Sequence, residues 1–457
     1  MKILITGATG FVGKELGRTL FHGGHEIIVL SRSPEDALNR LPFPCQAFAW
    51  DPVKDQIPSE AFEGVEVVIH LAGESIASGR WTKTRKKHIE ESRVLATQNL
   101  VKKIRTLKNF TLKKFVSASA IGYYGDRADE WLTENSRPGT GFLSEVCTSW
   151  ENAATQDMPS DIDSAQIRIG IVLGREGGML GKILPLFSAG LGGPLATGSQ
   201  WMSWIHLQDL IRIFKFVAET PKVIGPLNAV APEAVTNKQF TKSLGQALKR
   251  PALLPAPAFA LKTALGEMST LLLGSQRVRP EALEKLKFEF RYPGLEEALK
   301  QIVHRDGEAF LTEQWIPAKV EEVFSFFSQA ENLEALTPPW LNFHVHQMST
   351  SVMNQGTKID YRLKIHGVPV KWQSLISDWI PNQLFVDQQI KGPYAEWHHT
   401  HSFKAFRGGT LMKDDIRYRL PFGFLGKMLG SVFVRRDIEK IFMYRRQKVR
   451  GIFLNPS

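Results

Sequence analysis

The chain opens Met1-Lys-Ile-Leu-Ile-Thr-Gly-Ala-Thr-Gly-Phe-Val-Gly13, and these residues decide how the fold is read. Lys2 to Thr6 is a short apolar run of strand type. Gly7, Gly10 and Gly13 follow at three-residue spacing, and an amphipathic helical pattern begins behind them. A strand, a glycine turn and a helix in this order form a dinucleotide cradle. Gly7 permits the tight turn, Gly10 lets the backbone approach a pyrophosphate, and Gly13 lets the helix pack close to the strand. The unpaired N–H groups and positive dipole of the helix N-terminus then face the phosphates. The bland alternative is a glycine-rich turn in another α/β domain. Thr9, Phe11 and Val12 complete the candidate cofactor contacts of this turn.

The 457 residues suffice for two or three domains, each with its own core. An apolar fraction of 43% and a charged fraction of 23% are those of a soluble globular protein. With only Cys45 and Cys147 there is no disulfide framework, and a reducing cytoplasm is the expected location. No secretory signal is read at the start, and Lys262 and Glu267 interrupt the most apolar long window, Ala256 to Gly274. No integral membrane segment is expected. The formal net charge of +11 is concentrated in Arg80 to Lys108 and Lys427 to Arg450. Neither stretch carries a nucleic-acid motif. Both read as solvated helix faces or as contacts for an anionic cofactor or lipid, and no nucleic-acid partner is expected.

Lys14 to His22 is a helix stopped by Gly23-Gly24, and Glu26 to Leu30 is the second strand. An acidic residue at the end of that strand would hold the ribose 2′-hydroxyl of NAD. Here Ser31-Arg32-Ser33 stands instead. The Arg32 guanidinium can fork onto a 2′-phosphate with Ser31 beside it, so NADP(H) is favoured over NAD(H). An Arg exposed at a strand end is the alternative. Ala47 to Trp50 is a short strand ending at Asp51, a further candidate contact. Val65 to Leu71 is apolar but for Glu66 and His70, as in a sheet covered on both faces. Leu71, Ala72 and Gly73 end it with small residues that let a cofactor lie close. A long basic helix from about Thr84 to Leu107 is expected next. Lys114 to Ala118 and Gln166 to Val172 are further strands, and Ser117 ends the candidate cofactor set. The alternation predicts a doubly wound parallel sheet with ligands at the strand C-termini.

Thr6 to Gly13, His70-Leu-Ala-Gly73, Ser117-Ala-Ser119 with Tyr123-Tyr-Gly125, and Trp204-Ile-His-Leu-Gln-Asp209 together resemble the extended short-chain dehydrogenase/reductase fold. Leu71-Ala-Gly-Glu-Ser75, Ser92-Arg-Val94, Gly141 to Cys147 with Trp150-Glu151, and Trp201 to His206 narrow the resemblance. They point to an atypical epimerase subgroup of the NAD-dependent epimerase/dehydratase family. Pro226 to Pro232 and Val278 to Leu286 match the subgroup's terminal segment. The resemblance covers about residues 1–300, with about 226–300 as the smaller substrate-side lobe.

Usual members of the superfamily work with a Tyr, a Lys four residues later and a Ser. Ser119 stands at the Ser position, but Leu143 and Cys147 fill the other two, and neither replaces a phenol or an ammonium. The candidate catalytic residues left are Ser119, Tyr123, Tyr124 and Glu145; a carboxylate can serve if partly buried. Cys147 reads as an inert buried thiol. His206 reads as a structural hydrogen-bonding residue. Tyr444 to Lys448 has the Tyr-x-x-x-Lys spacing but lies on the terminal helix of a different domain, without a cofactor motif.

Beyond residue 302 the pattern becomes β-rich. Lys358 to Ile365 alternates strictly, as a half-buried antiparallel strand does. A long helix from about Leu425 to Phe453 closes the chain, with Met428, Leu429, Val432, Ile438, Phe442, Val449 and Phe453 near one face. This order, with Gly392 to His401, resembles the START / Bet v 1 / polyketide-cyclase superfamily over about 307–453. That resemblance implies an α+β helix-grip domain and an apolar small-molecule ligand. His399 and His401 share one strand face and His398 points away; two ligands do not close a site, so no metal is expected. The reading is thus an NADP(H)-binding oxidoreductase or epimerase-like domain over 1–300 fused to a hydrophobic-ligand domain over 305–457. Its rivals are a non-catalytic NADP(H)-responsive binding protein and a carrier of lipid or another small apolar molecule. A homo-oligomer is possible.

Overall fold

The structure, a computed structural model, describes residues 1–454 except 55–56, 109–110, 176, 304–307 and 422; the side chains of 308, 423–433 and 454 are also outside the description. The chain divides into two compact units. One comprises residues 1–41 and 45–304, the other 42–44 and 305–457.

In the N-terminal unit the apolar runs become parallel strands. They are β1 (Lys2–Thr6), β2 (Glu26–Ser31), β3 (Gln46–Ala49), β4 (Val67–His70), β5 (Lys114–Ala120), β6 (Asp163–Ile169) and β7 (Gly225–Ala229). Their order is β7-β6-β5-β4-β1-β2-β3, every pairing parallel. The strand order reverses beside β1, so a crevice opens at the C-terminal ends of β1 and β4. All four residues of β4 are buried, which is why that strand carries no polar alternation. Helices α1 (Phe11–His22), α2 (Val94–Thr106), α3 (Phe142–Thr155) and α4 (Leu207–Glu219) pack around the sheet. Leu100 and Ile104 of α2 and Ala154 of α3 meet Leu4, Val68 and Phe115 in one core. A smaller lobe gathers Trp204, Phe240, Leu244 and Leu299.

Three expected elements are interrupted. The long basic helix breaks into Lys83–Glu91 and α2. At the break the Arg93 guanidinium donates to the carbonyls of Ile89 and Glu74, and the Ser92 hydroxyl accepts the Glu74 N–H. The strand expected to run on to Val172 stops at Gly170, where a Cβ would lie 2.7 Å from the Ser203 carbonyl oxygen. The segment Ala258 to Leu273, whose sequence reads as a helix of the smaller lobe, is divided at Gly266, whose φ is +62°.

The C-terminal unit is an antiparallel sheet of β8 (Glu308–Ile316), β9 (His344–Met348), β10 (Lys358–Ile365), β11 (Val368–Ile380), β12 (Leu384–Lys391), β13 (Glu396–Phe406) and β14 (Gly409–Arg419), in the order β8-β14-β13-β12-β11-β10-β9. Helix α5 (Gly423–Leu454) packs on β8. Ile359 and Tyr361 of β10 are buried between outward Lys358 and Arg362, as the alternation requires. Phe324, Phe327, Phe385, Phe403, Met412 and Val449 form the core. Ile438, Phe442 and Val449 of the expected apolar face are buried and Phe453 is half-buried. The Met428, Leu429 and Val432 side chains lie outside the description.

Candidate cofactor cleft and a buried polar cluster

The glycine turn holds its shape by contacts that exclude side chains. Gly7 has φ +71°, and a Cβ there would lie 2.8 Å from the Leu71 carbonyl carbon. A Cβ on Gly13 would lie 2.3 Å from the Gly7 oxygen. The Gly10 N–H donates to the Gly7 carbonyl at 3.0 Å and closes the turn. Any helix leaves its first N–H groups without an internal partner, and here they belong to Phe11, Val12 and Gly13. The Phe11 ring is seated against Gly174 and Gly177, where added Cβ atoms would meet it at 2.6 and 2.5 Å. Phe11 therefore has its backbone, not its ring, to offer a phosphate. Thr9 is half-buried on the turn.

Beneath the turn runs a relay that the sequence reading missed. The Ala72 N–H donates to Thr6 Oγ1 at 3.1 Å, and Thr6 Oγ1 lies 2.7 Å from His70 Nδ1. His70 Nε2 lies 3.0 Å from Thr97 Oγ1, which donates to the Arg93 carbonyl at 2.6 Å. Because the Thr97 hydroxyl proton is already used, Nε2 carries the ring proton and Nδ1 accepts from Thr6. Burial holds the imidazole down at about 3, so it is neutral. The relay ties the end of β4 to β1 and α2 and fixes Leu71, Ala72 and Gly73 along the crevice. A histidine at the end of a wholly apolar strand was the available signal.

At the end of β2, Arg32 is exposed and Ser31 is half-buried. Ser31 Oγ donates to the Ser33 carbonyl at 3.1 Å and accepts the Ser33 N–H at 3.2 Å, which shapes the turn. Asp51 accepts the Val53 N–H at 3.1 Å. That bond holds its carboxyl below the ordinary range, with Lys54 and Arg32 adding to the effect. Arg32 thus lies within electrostatic reach of both Asp51 and Glu74, along the crevice mouth.

The expected catalytic set is not assembled. Ser119 is buried and donates to Glu151 Oε1 at 2.7 Å. Glu151 grips Arg168 through two bonds of 2.8 Å. Arg168 donates to the Tyr124 hydroxyl at 2.9 Å, and that hydroxyl donates to Asn228 Oδ1 at 2.7 Å. Burial pushes the Tyr124 phenol up to about 12. Burial opposes the charge on Arg168, yet the Glu151 bonds hold its pKa above the ordinary guanidinium value. Ser119 and Tyr124 thus belong to one buried hydrogen-bonded network, in which their protons have acceptors in Glu151 and Asn228. Tyr123 lies under the Arg168 guanidinium, 3.6 Å from ring centre to Cζ. Glu145 is exposed on the first turn of α3, without the partial burial that an acid/base role would need. Ser117 is buried and donates to the Ala118 carbonyl at 3.1 Å. Leu143 and Cys147 face the turn at Gly122, whose Cβ would lie 3.4 and 3.5 Å from them. Burial pushes the Cys147 thiol up to about 12, so it is not a nucleophile. His206 accepts the Gln208 N–H with Nδ1 at 3.1 Å and stands 3.0 Å from Gln301 through Nε2, caps helix α4, and has no free nitrogen.

In the C-terminal unit, Trp372, Tyr394, Trp397 and Tyr418 pack in edge-to-face and tilted pairs, with neighbouring ring centres 4.9 to 6.2 Å apart. Next to them His399, His401 and Asp414 are buried beside a half-buried Arg445; Asp414 lies 2.9 and 2.8 Å from the two imidazoles and 3.7 Å from the guanidinium. His399, His401 and Phe403, on one face of β13, are buried, and Trp397 beside them is half-buried.

The pattern of the NAD dependent epimerase/dehydratase family matches residues 3–230. An epimerase family protein SDR39U1 homolog of Arabidopsis thaliana, described as chloroplastic, is 38% identical over 305 residues, covering 66% of this chain and 87% of that one. The chain belongs to the NAD-dependent epimerase/dehydratase family. Human epimerase family protein SDR39U1 is 34% identical over 308 residues, which is 66% of this chain and 100% of its own. A crystal structure of the human protein with NADPH superimposes with a TM-score of 0.60, at 33% identity over 66% of this chain and 99% of that chain. In this family member, residues 256–302 also match a domain of unknown function, and 316–442 match the polyketide cyclase / dehydrase and lipid transport family. The epimerase-family unit is thus followed by a polyketide-cyclase-like unit. Among the described residues no helix is long and apolar enough to cross a membrane.

Proposed function

We propose that the epimerase-family unit binds NADP(H) in preference to NAD(H) and transfers hydride without a tyrosine–lysine proton relay. We propose in addition that the polyketide-cyclase-like unit holds a small apolar molecule against its Trp372, Tyr394, Trp397 and Tyr418 cluster. Arg32 at the mouth of the crevice carries the cofactor preference: its fork suits a 2′-phosphate, and no carboxylate stands at that strand end for a ribose hydroxyl. Gly7 to Gly13, the Leu71 to Gly73 edge and Asp51 would hold the remainder of the dinucleotide, which supplies the hydride.

Titration with NADPH and NADH, followed by cofactor fluorescence, tests this directly. Arg32→Ala should weaken NADPH about 10-fold or more and leave NADH nearly unchanged. Equal losses would refute the phosphate assignment, and no binding of either nucleotide would refute the reading altogether. The bonds that lock Ser119 and Tyr124 favour a second reading, in which NADPH is held without turnover and its redox state governs the apolar ligand. Oxidation of NADPH by a co-purified small molecule separates the two readings.

A further inference from the structure

Asp414 of β14 sits opposite His401 of β13 in the ladder, and His399 precedes it by two residues on the same strand face. His399 Nε2 is 2.9 Å and His401 Nδ1 2.8 Å from one and the same oxygen, Asp414 Oδ1. The candidate ligand atoms of the three residues all lie within 4.8 Å of one another. Their side chains are 6%, 4% and 6% exposed. Despite its proximity to Asp414, His401 Nδ1 has no hydrogen-bond partner. The nitrogen lies close to the carboxylate but off the line that an N–H donor would need. The nitrogen and the carboxylate oxygen then share a dry interior without a hydrogen bond between them, an arrangement that a cation beside both relieves.

We propose that His399, His401 and Asp414 bind a divalent first-row transition-metal ion inside the polyketide-cyclase-like unit. Two imidazoles and a carboxylate suit Zn²⁺ or Fe²⁺ and leave coordination positions open. Ligand bonds of about 2.1 Å at right angles would put neighbouring donor atoms about 3.0 Å apart, close to the spacing seen. Asp387 faces His399 from β12, and its buried Oδ1 has no partner. It is placed to accept from a metal-bound water. Arg445 is the competing cation, 3.7 Å from Asp414 Oδ1. Its charge weakens the site, and without a metal it would make Asp414 half of a plain ion pair.

The test uses the full chain, stripped with a chelator and titrated with Co²⁺ and then Zn²⁺. Wild type should retain about one equivalent per chain by elemental analysis. Co²⁺ should show ligand-field bands of mixed nitrogen and oxygen ligation. Zn²⁺ in large excess over Kd should raise the melting temperature by roughly 5 °C or more. His401→Phe keeps a ring against Phe385, and Asp414→Asn keeps the shape; each should weaken binding roughly 100-fold or more. Absence of retained metal in wild type, uptake unchanged in both variants, or an all-oxygen Co²⁺ spectrum would each overturn the proposal. If the variants do not fold, the wild-type stoichiometry and spectrum decide alone.

Discussion

The two units each bury a network of charged and polar side chains, and the networks differ in completeness. In the epimerase-family unit, Glu151 takes two bonds from Arg168 and one from Ser119, and Tyr124 passes its proton to Asn228. Asn228 in turn donates to the Arg279 carbonyl and accepts nothing that leaves an atom open at Tyr124. In the polyketide-cyclase-like unit, His401 Nδ1 and Asp387 Oδ1 lack partners in an equally dry interior. A saturated network fixes a structure, because every desolvated group has been compensated. A network with unmet groups keeps a standing free-energy cost that a guest can relieve. Of the residues expected to be catalytic, Ser119 and Tyr124 belong to the saturated network; His399 and His401, which share one strand face, belong to the unsaturated one.

The largest effect should come from breaking the saturated network. Glu151→Ala would leave Arg168 buried and unpaired, and chemical denaturation should register a loss of about 3–5 kcal/mol. The double variant Glu151→Leu with Arg168→Met should lose much less, since no charge is stranded. A double variant as damaged as the single one would mean that packing, not charge, sets the cost.

A middle-sized effect is expected from the His70 relay as pH changes. The folded imidazole titrates at about 3, against 6.5 in the unfolded chain. Between those values the unfolded chain takes up a proton that the folded chain refuses. Stability should therefore fall as pH drops from 6.5 toward 3, by on the order of 1 kcal/mol per pH unit from this group. Urea denaturation of wild type and His70→Asn at pH 7 and pH 5 measures it. The variant should show the shallower dependence, and identical slopes would remove His70 from the account.

The smallest effect belongs outside both networks. Glu145→Gln alters an exposed side chain and should change stability by less than about 0.5 kcal/mol, with NADPH affinity within about twofold. A large loss of hydride transfer with folding intact would return Glu145 to catalysis and sharpen the contrast.

Much of the fold was legible in advance. Glycine spacing, apolar runs of strand length and the period-two alternation of Lys358 to Ile365 are local signals, set by dihedral freedom and side-chain periodicity. The same locality explains the misses. The basic segment from Thr84 was read as one helix because its composition suits helix throughout, while the break at Ser92 and Arg93 depends on Glu74, far off in sequence. Ser119 sits where a family pattern puts a catalytic serine, but the direction of its hydroxyl is set by Glu151, which only the packing of α3 beside β5 brings near. Asp414 lies thirteen positions after His401 in the chain and directly across the ladder from it.

The sequence by itself determined the glycine cradle, the absence of the Tyr–Lys pair at Leu143 and Cys147, and the order of the two units. These are matters of which residue types are present and at what spacing. Tertiary structure decided which polar groups are already satisfied. It bound Ser119 and Tyr124 into a buried network, tied His70 to Thr6 and Thr97, and set two imidazoles against one carboxylate oxygen. The physical reason is that hydrogen-bond satisfaction depends on distances between residues remote in sequence. A residue's type states what it can donate or accept, and only the fold states what it meets.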